Sequence, residues 1–512
     1  MKKFLLKKIS LLLIVILSFG IAGCGKKDEP ISENIENDVQ DTTPLDAAAV
    51  SDAFALHAAF SQANNVPEVT AQTAILVEPS SGTILFEKGA KEKMYPASTT
   101  KMITALVTMD YFKEDELITI GSEINEVSLD SSKAGHIVGE TITIKNLIRG
   151  LIIPSGNDTA NVLAAAVAKR VQSNDNLTFA ESQKIFAELM NKRAKELGAV
   201  NTHFTNAHGY HDENHYSCAY DMALFACAYL ENSTLKEIAN EKSFAGNGAD
   251  NMFQQSEGMK TQNYAWRSHN LLITDNEYNY SYASGIKTGF TNEAGDCVAA
   301  AAEKDGETLV AIIFNSPDPG RWLDGKNLFE FGFNEYERAE LGKTAEVLES
   351  MPLTKHNRLE GDTLDVVFNQ DVVTYLPTGT SDGVEKTIVY DEKYLDVNKD
   401  GVSKLKAPIA KGEKIGTATF QIDSKTVLSE DVYAGREVTK GTILSSIKYF
   451  FKNFTSIVFS KKGLMGLAGF IVVIVLIFII FRIVSNRRKR YSRGYTFQKH
   501  SSRKGGRRRR RF

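Results

Sequence analysis

Cysteine is scarce in this chain, with only Cys24, Cys218, Cys227 and Cys297 in 512 residues. So few exclude a disulfide scaffold, and Cys218 and Cys227 fall in one helical segment, where a thiol acts as a small apolar core group. Acidic residues are missing at both ends. Residues 486–512 carry 13 Lys and Arg with no Asp or Glu, and residues 1–23 carry four Lys, so the net charge of −3 hides a value of −20 for residues 24–485. An acidic body between basic ends excludes nucleic acid as the partner of the folded part. The chain also lacks H-E-x-x-H. His208, His211 and His215, with Asp212 and Glu213, carry residue types that suit zinc, but structural hydrogen bonds are expected of them, and no metal or cofactor is expected. Residues 463–481 have no charge at all. At ~1.5 Å per residue they span the ~30 Å hydrocarbon core of a bilayer.

The termini speak of export. Lys2, Lys3, Lys7 and Lys8 precede an apolar run to Ile21, as in a secretory signal. That run ends in Ile21-Ala22-Gly23-Cys24, which resembles a bacterial lipobox and implies lipidation of Cys24. Residues 1–23 are accordingly expected to be a lipoprotein-type signal peptide. Residues 24–66 read as an acidic tether, with a loose helix near Ala47 to Ala63. At the other end, Ile443, Ile447, Phe450, Phe451, Phe454, Ile457 and Val458 make an apolar stripe opposite Lys448 and Lys452, an amphipathic juxtamembrane helix within 439–460. Its competing reading is a helix packed on the preceding domain. A transmembrane helix is expected at 463–484. Arg482 and Arg487 to Arg490 follow its uncharged stretch, which ends at Phe481, against Lys461 and Lys462 before it, so the 485–512 tail is placed in the cytoplasm and the body outside the cell membrane.

Between these ends the hydropathy pattern divides in two. Residues 67–338 predict strands at Ala71 to Val77 and Thr83 to Glu87 around a Pro79 to Gly82 turn, then helices over Lys101 to Phe112, Asn146 to Ile153, Thr159 to Val171, Phe179 to Leu197 and Asp221 to Leu230. Strands follow at Gly285 to Phe290, Cys297 to Glu303 and Thr308 to Phe314, with a hairpin at Asp305-Gly306, and a helix from Leu323 to Phe331 closes the domain. Strands at both ends with helices between them predict an α+β fold, in which sequence-distant strands pair antiparallel. Residues 339–438, with short alternating runs at Leu364 to Phe368, Val372 to Leu376, Thr387 to Tyr390 and Lys414 to Ile422, predict a small all-β domain.

The candidate chemistry starts at Ser98. A serine at a helix start with Lys101 three residues on places a nucleophile beside an amine on the same face. The pattern S-x-x-K occurs six times, at Ser98, Ser233, Ser284, Ser403, Ser445 and Ser501, and so proves little alone. Ser98, however, is followed in order by Ser155-Gly156-Asn157 and by Lys287-Thr288-Gly289, which occurs once. This triple resembles the penicillin-recognising serine acyltransferases. The stretches Thr202 to Gly209, Asp212 to Ser217 and Lys287 to Gly295 narrow the resemblance to the low-molecular-mass penicillin-binding proteins that act as D-alanyl-D-alanine carboxypeptidases, and Ala407 to Glu413 resembles that family's C-terminal β domain.

The resemblance implies a β-lactamase/transpeptidase-like catalytic domain, peptidoglycan stem peptides as substrate and β-lactam antibiotics as ligands. It implies Ser98 as nucleophile, Lys101 as base, Ser155 as proton relay and Asn157 as a support for substrate or for Lys101. Lys287, Thr288 and Arg321 would receive the terminal carboxylate. Gly289 would let the peptide lie against its strand, and the Phe290 N–H would join that of Ser98 in an oxyanion hole. A β-lactamase is the enzymatic alternative, but no E-x-x-L-N occurs between the second and third motifs. A transpeptidase and a catalytically inert wall-binding scaffold stay open at this stage.

Overall fold

A computed structural model describes residues 56–59, 63–250, 260–397, 402–453 and 471–483. Cys24 and the signal segment lie outside the described residues, as do most of the tether, residues 454–470 and the basic tail.

Strands β1 (His57–Ala58), β2 (Thr73–Glu78) and β3 (Thr83–Lys88) come first. Glu78 closes the β2–β3 turn by accepting the Ser80 and Ser81 N–H groups at 2.9 and 2.8 Å. A 3₁₀ turn at Ala97–Thr100 leads into helix α1 (Lys101–Tyr111), and a small hairpin of β4 (Leu117–Thr119) and β5 (Thr141–Thr143) precedes α2 (Ile144–Ile152). Helix α2 is capped by Thr143, which accepts the Asn146 N–H, and it stops short of Pro154. Next come α3 (Asn157–Gln172), α4 (Phe179–Glu196), α5 (Ala219–Glu231) and α6 (Ser233–Ala239). A second hairpin, β6 (Ser243–Asn247) with β7 (Asn263–Arg267), separates them from β8 (Ala283–Thr291), β9 (Gly295–Lys304), β10 (Glu307–Ser316) and α7 (Gly320–Glu335).

Among the described residues the central sheet runs β1-β3-β2-β10-β9-β8. The sequence-distant β2 and β10 pair antiparallel, Val77 opposite Val310, as the pattern predicts. The Asp305-Gly306 hairpin forms too, with both residues at positive φ. Side chains alternate across the sheet. Ile75, Val77, Val310 and Ile312 pack with α1, α2 and α5, while Ala74, Leu76, Ala311 and Ile313 pack with Trp322, Leu328 and Phe329 of α7. At ~25 cal/mol per Å² this two-sided apolar burial is the main stabilising term.

The upstream boundary differs from expectation. His57–Ala58 pairs in parallel with β3, and Leu56 and Ala63 are buried, so the last part of the stretch read as a free tether is held by the domain. Of the stretch expected to form a loose helix only residues 56–59 and 63 are described, and there His57–Ala58 is a strand, because the open edge of β3 satisfies its backbone groups. Cys218, Cys227 and Cys297 are all buried and unbridged, and burial pushes each thiol up, to about 12 for Cys218 and Cys297.

Beyond α7 the chain runs through β11 (Tyr336–Gly342), β12 (Val347–Thr354), β13 (Thr363–Val367), β14 (Val372–Pro377), β15 (Glu385–Tyr390), β16 (Leu395–Val397), β17 (Ser403–Lys406), β18 (Lys414–Ile422) and β19 (Lys425–Ala434). A seven-stranded sheet, β15-β18-β19-β13-β12-β17-β16, surrounds Leu364, Val366, Ile415, Phe420 and Val432. The all-β character matches expectation, but the junction lies inside β11, which pairs with β14, and Tyr375 of β14 reaches the core beneath α7. Helix α8 (Ile443–Lys452) begins with a Thr442–Ser445 capping box. Of the stretch expected to cross the membrane, only residues 471–483 are described; they are helical, and no described helix is long and apolar enough to cross a membrane.

One buried carboxylate ties the start of the domain to its end. Asp324 of α7 accepts the Thr70 and Ala71 N–H groups at 2.9 and 3.0 Å and the Thr70 hydroxyl at 2.9 Å. Asp324→Ala leaves these donors without an acceptor and is expected to cost about 2–4 kcal/mol in urea unfolding, with Asp324→Asn losing less. An unchanged midpoint for the alanine variant would show that this carboxylate is not the tie.

Candidate functional site

The three motifs converge between the helical layer and the free edge of β8. Ser98 lies in the 3₁₀ turn, not in α1 proper, and Lys101 is the first residue of α1, with its side chain directed inward and no exposure to solvent. The Lys101 Nζ lies 2.8 Å from Ser98 Oγ, 2.7 Å from Asn157 Oδ1 and 2.9 Å from the carbonyl oxygen of His208. Burial, reinforced by the Lys287 charge, holds the amine well below the ordinary lysine range, while Asp158 opposes the shift. Geometry and field therefore favour a neutral amine against the serine hydroxyl.

The second motif sits on the turn from α2 to α3. Ser155 is buried with φ of 59°, and Ala97, just before Ser98, has φ of 46°. Left-handed backbone at two non-glycine residues costs on the order of 1 kcal/mol each and persists only where surroundings enforce it. Here the Gly156 N–H donates to Gly150 O at 2.9 Å and the Asn157 N–H to Ser132 O at 2.8 Å. A side chain on Gly156 would meet Thr159 Oγ1 at 2.6 Å and Asp158 Oδ1 at 2.7 Å, so the middle residue of the motif has room for none. Helix α3 starts two residues earlier than its apolar period predicts, which makes Asn157 its first residue and fixes the amide that meets Lys101.

The third motif lies on β8, the edge strand. Lys287 and Thr288 are nearly buried, and the Lys287 Nζ donates to Thr288 O at 2.9 Å. Burial first, and then the charge of Arg321, pulls Lys287 down to about 7. Gly289 is where β8 comes against the turn that carries Ser98. A Cβ there would press on Pro96 O, Ala97 Cβ and Ser98 N, each at 3.1 Å, so the missing side chain lets the strand pack against the Ala97–Thr100 turn. Phe290 is 60% exposed, its ring outside the core. Arg321 is not free to act alone, since its Nη1 pairs with Asp296 Oδ1 at 2.6 Å and lies 3.3 Å from Gly289 O.

Several contributors were not singled out from sequence. The His208 carbonyl is Lys101's third partner, and a backbone oxygen leaves no signature in side-chain pattern. Asp158 was visible beside Asn157, and its buried carboxylate accepts the Ala134, Gly135 and Thr159 N–H groups at 2.8–2.9 Å. Asp296, which holds Arg321, had no motif around it. Two of the three histidines hydrogen-bond as expected, while His211 Nδ1 is buried without a hydrogen-bond partner among the described residues: His215 Nε2 lies 2.9 Å from Thr100 Oγ1, and Nδ1 accepts the Thr205 N–H at 3.1 Å. His208 Nδ1 accepts the Tyr210 N–H at 3.1 Å. Burial pulls both rings down to about 3, so they are neutral at ordinary pH.

Known proteins share this architecture. A family model described as D-alanyl-D-alanine carboxypeptidase (Peptidase S11) matches residues 60–318, and one described as Penicillin-binding protein 5, C-terminal domain, matches residues 347–440. The chain is 30% identical to the D-alanyl-D-alanine carboxypeptidase DacA of Escherichia coli (strain K12) over 398 residues, covering 76% of this chain and 88% of that protein. It is 27% identical to the D-alanyl-D-alanine carboxypeptidase DacF of Bacillus subtilis (strain 168) over 385 residues, covering 74% and 88%. The solved structure of penicillin binding protein 5 from Haemophilus influenzae matches with a TM-score of 0.61 at 26% identity, over 73% of this chain and 99% of that one.

Proposed function

Because the chain belongs to the Peptidase S11 family of D-alanyl-D-alanine carboxypeptidases, we propose that Ser98 removes the terminal D-alanine from peptidoglycan stem pentapeptides, with Lys101 as its base. The acyl-serine route and β-lactam binding are general for the family. The observation that carries the residue assignment is the solvent-free Lys101 amine 2.8 Å from the Ser98 hydroxyl.

A neutral amine has two N–H groups and one lone pair. Asn157 Oδ1 and His208 O take the two N–H groups, which leaves the lone pair for the Ser98 O–H. Ser98 Oγ then attacks the carbonyl of the penultimate D-alanine as its proton passes to Lys101. The oxygen of the tetrahedral intermediate is received by the Ser98 and Phe290 N–H groups, charge that develops only along the reaction. Ser155 relays the proton to the departing D-alanine nitrogen, and water then hydrolyses the ester. The substrate lies along the free edge of β8, its carboxylate drawn to Lys287 and Thr288. Arg321, clamped by Asp296, acts as a field behind Lys287.

The ends of the chain serve as anchors in this reading. Ile443, Leu444, Ile447 and Phe451 of α8 are exposed, while Tyr449 is covered by the Arg358 guanidinium 4.5 Å from its ring centre. One face thus rests on the β domain while apolar side chains are left for a lipid surface. Lipid on Cys24, a spanning helix at 463–484 and a basic cytoplasmic tail at 485–512 complete an extracytoplasmic enzyme of the bacterial cell membrane.

Wild-type protein is expected to release D-alanine from a stem pentapeptide and Ser98→Ala to release none, measured with a D-amino-acid oxidase readout. Destruction of penicillin faster than that turnover would favour the β-lactamase reading, and wild type inert toward both peptide and penicillin would favour the scaffold.

Acylation of Ser98 by a fluorescent penicillin is expected to fall as pH drops, because the lowered Lys101 becomes protonated and loses its lone pair. Lys287→Gln removes the positive charge that depresses Lys101, so this acid limb moves to higher pH. A limb that stays in place would show that the two amines do not communicate.

Anchoring is read by fractionation and intact mass. The full chain is expected to need detergent for release, and Cys24→Ala combined with a stop after residue 442 to release it. A mature N-terminus other than Cys24 removes the lipid from this picture.

A further inference from the structure

A second set of buried polar groups lies beneath the Ser155-Gly156-Asn157 turn and takes no part in the chemistry above. Tyr264 of β7 donates its single hydroxyl proton to Glu140 Oε1 at 2.5 Å. The Tyr264 oxygen is then an acceptor, for Gln262 Nε2 at 2.8 Å and for His136 Nδ1 at 2.7 Å. With its proton on Nδ1, the buried and neutral His136 ring must accept at Nε2, and the Thr159 hydroxyl donates there from 2.8 Å. All the bonds of the row Thr159–His136–Tyr264–Glu140 point the same way, which leaves each group one orientation.

Both ends of the row are held. Glu140 also accepts from Gln262 Nε2 at 3.0 Å. At the other end Thr159 Oγ1 sits 2.6 Å from where a Gly156 side chain would begin, directly against the middle of the motif. The loop that carries His136 is gripped between the two: Trp266 Nε1 donates to Ala134 O at 2.9 Å, and Asp158 accepts from the Ala134 and Gly135 N–H groups. We infer that His136, Tyr264, Glu140 and Thr159 are positioning residues that hold the strained Ser155–Asn157 turn and, through Asn157, keep the Lys101 amine aimed at Ser98. The inference rests on the assignment of Ser98 and Lys101 made above. A turn with a left-handed serine has an easier backbone conformation to relax into, and a directional row of hydrogen bonds opposes that relaxation where apolar packing alone would not.

Tyr264→Phe and Thr159→Val break the row at two places with almost no change in shape. In detergent-purified full-length protein, each is expected to lower kcat for D-alanine release about 10-fold, the effect of a small misplacement of reacting groups. KM should stay within about twofold, since the carboxylate-binding strand β8 lies outside the row, and the double variant should be within about twofold of either single one, because both cut one connection. Values of kcat unchanged in both single variants, losses that multiply in the double variant, or a rise in KM alone would overturn the inference. Should Tyr264→Phe fail to fold, Thr159→Val with a wild-type melting temperature decides. A wild type that releases no D-alanine refutes the functional reading itself, whereas an active wild type with indifferent variants refutes only the positioning.

Discussion

The arrangement depends on keeping one lysine amine out of water without neutralising it by an acid. Lys101 has no solvent contact, and its nitrogen is shared among a serine hydroxyl, an asparagine oxygen and a backbone carbonyl. An ammonium ion buried among neutral acceptors costs several kcal/mol, so the group sheds its proton instead. A carboxylate in direct contact would have reversed that outcome. Asp158, the nearest opposing charge, is occupied by four backbone N–H groups, from Ala134, Gly135, His136 and Thr159.

The remaining charges are layered behind this centre. Lys287 is buried on β8 and is itself depressed by Arg321, which Asp296 holds from the far side. Positive potential is thereby concentrated at the strand edge where a carboxylate would arrive, and it reaches Lys101 as a repulsion that favours its neutral form. Close packing makes this possible: Gly289 brings the strand against the turn that carries Ser98, and Gly156 brings the second motif down onto Thr159. The scaffold beneath is conventional by comparison, a sheet with apolar side chains alternating to helices on both faces.

Much of this was legible from the chain. The hairpin at Asp305-Gly306 and the strands at Val372–Pro377 and Lys414–Ile422 follow from turn chemistry and a period of two. Strand β19 was not, because its buried residues Val427, Val432 and Ala434 do not keep a period of two: the register shifts at Val427, which puts it out of step with Val432 and Ala434. His57–Ala58 escaped for a different reason: two residues carry no periodicity, and only the open edge of β3 makes them a strand.

By itself the sequence determined which residues could do chemistry and in what order they occur, since the three motifs are local patterns with few competitors. It also determined the contrast between an acidic body and basic, apolar ends. Only the tertiary structure decided which of six S-x-x-K serines has its lysine dried and paired with an asparagine 56 residues further on. Desolvation depends on every element packed around a group, and the His208 carbonyl, the Asp296 clamp on Arg321 and the row beneath Ser155 arise from contacts between segments far apart in the chain. Such contacts have no period or spacing to read, because folding alone brings them together.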